Sequence, residues 1–88
     1  MNISKKELSK RMGNNIRKIR TNRGFTIEKL ASEADMEYTQ LARIELGQIN
    51  TSVFQIYKIS QALSIDISEL FKDLDLEKNL PENQGGFQ

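Results

Sequence analysis

Apolar side chains return along this chain at intervals of three and four residues, in short runs separated by helix-stopping residues. Leu8, Met12, Ile16 and Ile19 are spaced by four, four and three. That rhythm lines up side chains on one face of a helix and would scatter them over both faces of a strand. Val53, Ile56, Ile59 and Leu63 repeat it later. The punctuation between runs agrees, and with one proline in 88 residues the chain is predicted to be all-α, with five short helices.

Capping residues mark the starts. Ser4 with Glu7 three residues on reads as a capping box. Gly13 lies inside the first stripe, so a start near Lys10 behind a loose arm is the second option. The helix should stop at Asn22–Arg23–Gly24, with Gly24 in the left-handed position. Thr26 is the next N-cap, with Phe25 and Leu30 placed for a hydrophobic staple, giving a second helix over roughly 27–33. The third follows at 37–45, with Leu41 and Ile44 inward and Gly47 as its stop. Thr51 or Ser52 should cap a fourth helix running to Leu63. Ser68 is placed at or near the cap of a fifth, which Glu69, Leu70 and Phe71 open. Residues 1–11 read as a basic, helical extension, 12–73 as the domain, and 74–88 as a tail, flexible or associated with a dimer.

Composition removes most chemistry. There is no cysteine and no histidine, so disulfides, thiolate nucleophiles and the usual general base and zinc ligand are absent. No phosphate-cradling glycine loop or nucleophile–base pair is present, so no catalytic residues, metal ligands or cofactor are expected. No run of apolar residues is long enough for a membrane span, which predicts a cytoplasmic protein. Net charge is +1, but its distribution is uneven. Residues 1–30 carry nine basic side chains against Glu7 and Glu28, whereas residues 61–88 carry two against six acidic ones. A basic third is what a polyanion-binding face needs; a solvated basic helix face is the other reading.

Residues 27–46 form two short helices joined by a tight turn, with Tyr38, Thr39, Gln40 and Arg43 polar at the start of the second. A helix-turn-helix has this layout, and so does an ordinary helical hairpin. The stretches 16-IRKIR-20, 24-GFTIEKLA-31, 41-LARIELG-47 and 56-IYKISQALSIDISELF-71 together resemble the phage repressor and Cro-type (XRE) family of helix-turn-helix proteins. The resemblance implies a compact, five-helix repressor-like domain that binds double-stranded DNA. Its base-reading positions fall on Tyr38, Thr39 and Arg43. Arg43 is the strongest candidate, because a guanidinium matches guanine O6 and N7 in a bidentate pair. The other reading of Tyr38 is a half-buried ring closing the domain edge. Backbone contacts are assigned to Arg23, Thr26, Gln40, Lys10, Arg11, Arg17 and Lys18, and a structural ion pair to Arg20 and Glu45.

Departures from the family pattern fall where phosphate is usually held. Ile27 stands where glutamine is usual at the start of the second helix, leaving its N-terminus, Thr26 and Arg23 for that contact. Glu37 replaces the usual Ser or Thr cap. Gln48–Ile49–Asn50 replaces a loop that is often basic, and Asp35 replaces a turn glycine. The leading expectation is a sequence-specific transcriptional regulator, a homodimeric repressor on a palindromic operator. Its dimer contacts are expected in the C-terminal part, at Leu70, Leu74 and Leu76. The alternatives are an antitoxin holding a toxin partner, a restriction–modification controller, or a helical interaction module with weakened DNA binding.

Overall fold

A computed structural model describes residues 3–74. Four α-helices, α1 (Lys5–Asn22), α2 (Ile27–Glu33), α3 (Tyr38–Glu45) and α4 (Val53–Ala62), are followed by a 3-10 helix, Ile67–Phe71. Three of the four α-helices begin at a residue whose side chain caps the first turn. Ser4 Oγ accepts from Glu7 N, Thr26 Oγ1 from Lys29 N and Ser52 Oγ from Gln55 N, at 3.0, 3.0 and 3.1 Å. α3 is the exception: Glu37 occupies its N-cap without a side-chain bond.

Ile16, Leu30, Leu41, Ile59, Leu63 and Leu70 are fully buried, each contributing about 1.5–3 kcal/mol by leaving water. α1 packs on α3 and on the 3-10 helix, α2 on α3 and α4, and α4 on the 3-10 helix. The crossing of α1 and α3 depends on Gly13, where a Cβ would run into the backbone carbonyl oxygens of Ile44 and Glu45. Loss of helix propensity at Gly13 is therefore offset by close approach of two backbones. Asp35 takes φ 55° in the α2–α3 turn, a left-handed position that aspartate tolerates better than most residues. Among the described residues no helix is long and apolar enough to cross a membrane.

Several expectations need correcting. The fifth helix is of the 3-10 kind, and Asp66 is its cap with Ser68 two residues on: the Asp66 carboxylate accepts from Ser68 N at 2.9 Å. Hydrogen bonds from the Ser68 backbone N–H and then its hydroxyl hold Asp66 below its ordinary pKa. Leu8 and Val53 belong to the apolar stripes by spacing but are 39% and 70% exposed, because α1 and α4 begin beyond the edge of the core. Leu70 is fully buried and Leu74 is half-buried against the same core, so Leu70 is not on offer to a partner. Leu76 and the rest of the predicted tail lie outside the described residues.

Candidate nucleic-acid interface

α2 and α3 make the helix-turn-helix. Leu41 and Ile44 pin one side of α3 in the core, and Glu45 ends that side with a buried carboxylate. Arg20 meets it in a bidentate pair, Nε to Oε2 at 2.6 Å and Nη2 to Oε1 at 3.0 Å. The third guanidinium nitrogen donates to the Phe25 carbonyl at 2.8 Å. One arginine thus ties α1, the α1–α2 turn and the end of α3 together, which fixes the angle at which α3 leaves the domain.

The opposite side of α3 is open. Tyr38 is 52% exposed, Thr39 and Arg43 are exposed, and one further turn brings exposed Leu46. Thr39 and Arg43 are four residues apart, so they share a face. The Arg43 side chain makes no ion pair or hydrogen bond with any other described residue. A guanidinium held on a rigid helix without a partner can present its planar fork to an outside acceptor at little conformational cost. Gln40 is half-buried beside Met36 and Glu37 in the shallow concavity between α2 and α3.

The expected backbone residues divide between two faces. Lys10 and Arg17 flank Gly13 at three and four residues, on the side of α1 that faces α3. Arg11, Asn15 and Lys18 form another stripe at i, i+4 and i+7, facing the 3-10 helix. Asn15 Nδ2 donates to the Leu70 and Lys72 carbonyls, both at 3.0 Å, and Arg11 Nη1 to the Leu74 carbonyl at 2.6 Å. Arg11 also pairs with Glu7. Arg23 donates to the Leu63 carbonyl at 2.8 Å, joining the α1–α2 turn to the end of α4. Thr26 spends its hydroxyl on the α2 cap. Sequence reasoning grouped the basic side chains of α1 by charge; counting in threes and fours from Gly13 would have separated them. It missed Asn15, whose two carbonyl partners lie 55 and 57 residues away, a distance no local pattern reports.

Residues 13–76 match a family model described as a helix-turn-helix domain. The chain is 37% identical over 68 residues to the control protein C.MunI of a Mycoplasma species, covering 76% of this chain and 92% of that protein. It is 39% identical over 59 residues to the control protein C.BamHI of Bacillus amyloliquefaciens, covering 66% of this chain and 73% of the other. Among solved structures, the restriction-modification controller protein C.AhdI from Aeromonas hydrophila superimposes with a TM-score of 0.71 at 33% identity, covering 72% of this chain and 96% of that one.

Proposed function

The chain belongs to the helix-turn-helix domain family, and from that premise we propose that it is a sequence-specific transcriptional regulator of the control-protein kind. In this reading it is a homodimeric member of the phage repressor and Cro-type (XRE) group and occupies a palindromic operator. Its control-protein relatives favour regulation of restriction and modification genes over an antitoxin role. The observation that carries the proposal is the open face of α3, where unpaired Arg43 stands with Thr39 and Tyr38 over a side locked down by Leu41, Ile44 and Glu45. Arg43 reads guanine, the Thr39 methyl or hydroxyl meets a neighbouring base, and Tyr38 bonds or stacks at the groove edge. Selection of bound sites from random duplex DNA tests it. A two-fold site should emerge, its half-sites about one helical turn apart and each holding guanine. Recovery of no preferred sequence would reject it.

One module reads only a few base pairs, so specificity needs a second copy. We assign the pairing surface to the start of α4. Val53, Phe54 and Tyr57 are 70, 64 and 47% exposed, together roughly 300 Å² of mostly apolar surface, the size of patch that marks an interaction site. The Phe54 and Tyr57 rings stack at 6.5 Å, and Lys58 lies over Phe54. The occupant is a second copy because the operator reading needs two modules, and Val53, Phe54 and Tyr57 themselves carry no charge that would meet its like across a two-fold axis. Lys58 is the cation at the edge of this patch. Phe54→Asp, at an exposed position, should leave the fold intact and shift the protein to monomer in sedimentation, with weaker operator binding. Unchanged dimerisation would move the interface elsewhere.

A further inference from the structure

The uncharged loop after α3 poses a problem for a DNA-binding domain, and α1 supplies an answer to it. Lys5, Lys6 and Lys10 line a groove whose other wall is Gly47, Gln48 and Asn50. The two walls touch through Gly47, at φ 73°: a Cβ there would stand 2.7 Å from Lys10 Cα and 2.9 Å from Lys10 N. No side chain separates the loop from the helix, so the lysines rise directly beside it. Lys6, Lys10, Gly13, Arg17 and Arg20 follow one another at four, three, four and three residues, and Gly13 and Arg20 both contact the end of α3. Lys6 and Lys10 therefore continue the α3-facing side of α1 past the loop.

The fold gives the ammonium groups of these lysines no partner among the described residues, although the Lys10 stem packs beside Gly47. Lys5 and Lys6 stand in the first turn of α1, against the positive end of the helix dipole, where cations are unfavourable. Lys6 and Lys10 are exposed and form no ion pair with any other described residue. Resting on the regulator reading above, we propose that Lys6 and Lys10, with Lys5 beside them, hold the phosphate backbone of the operator flank in this groove. They take over the role that a basic loop would otherwise fill, while the exposed Gln48 and Asn50 amides offer uncharged donors from the other wall. Ammonium groups on one side and amide N–H groups on the other suit a phosphodiester, which carries one diffuse negative charge and several acceptor oxygens.

The test compares two variants that each remove one charge. Lys10→Gln removes one ammonium from the groove. Lys72→Gln removes a lysine from outside the α3-facing side of the protein, where it pairs with neighbouring Glu69 on the surface. Glutamine is nearly as good a helix former as lysine, and thermal melts of all three proteins check that folding is unchanged. Affinity for the selected operator and for a scrambled duplex is then measured over a range of salt. The groove variant should lose about 0.9 from the log–log salt slope for each phosphate contact removed, and should weaken both duplexes by the same factor. The control should keep the wild-type slope. Equal slopes for wild type and groove variant, or equal losses in the two variants, would overturn the proposal while leaving the regulator reading intact. A wild-type protein that bound neither duplex would remove both.

Discussion

Replacing Glu45 by alanine should lower the unfolding free energy by about 3–5 kcal/mol, because it leaves a buried guanidinium without its counter-charge. The Arg20 and Glu45 side chains are 10% and 4% exposed, so water can do little to make up the loss. Small domains have about 5–15 kcal/mol to lose, and Glu45→Ala should be largely unfolded at moderate denaturant. Arg20→Ala should do similar damage and additionally orphan the Phe25 carbonyl, its third partner. DNA binding should fall with the folded fraction and no further. The diagnostic variant replaces both residues together, Arg20→Met with Glu45→Leu. Removing both charges should recover most of the stability, because the desolvation of the pair disappears along with its attraction. Urea unfolding of the two single variants and the double variant checks this. A stable Arg20→Ala protein that had lost DNA binding would make Arg20 a phosphate contact instead.

Much of the fold was legible because it rests on local rules. Ser4, Thr26 and Ser52 announce helix starts through side-chain chemistry that acts within three residues, and Gly24 and Gly47 announce stops through positive φ. The third element of the pattern, apolar spacing, found Ile16, Leu41 and Ile59 but also included Leu8 and Val53. Periodicity tells which face of a helix is apolar; it does not tell where along the helix the core ends. Leu70 shows the same gap from the other direction. Its place at the end of the motif made it look spare, yet α1 and α4 close over it. Asp66 and Ser68 are equally good cap residues by type, and a two-residue separation gives no local sign of which one caps. At the interface, the outward sector of α3 followed from the inward Leu41 and Ile44. The division of α1 into an α3-facing side with Lys10 and Arg17 and a second side with Arg11 and Lys18 did not. That division depends on Gly13 touching α3 and on Asn15 reaching carbonyls across the domain, both long-range facts.

Arg43→Ala should produce the largest selective loss of binding. The side chain is exposed and unpaired among the described residues, so the fold should not notice its removal. A bidentate arginine–guanine contact contributes about 1–3 kcal/mol per half-site, and every 1.4 kcal/mol is tenfold in affinity. In a two-fold complex the loss is taken twice. Binding to unrelated sequence comes mostly from phosphate neutralisation and should change far less. Thr39→Ala should show a smaller loss of the same selective kind. The decisive measurement is therefore a pair of titrations of wild type and Arg43→Ala, one on the selected operator and one on a scrambled duplex of equal length, at fixed salt. The operator affinity of the variant should collapse towards its nearly unchanged affinity for the scrambled duplex. If the two affinities instead fall by the same factor, Arg43 is only a phosphate contact, and if wild type never distinguished the two duplexes, the protein does not read sequence through α3.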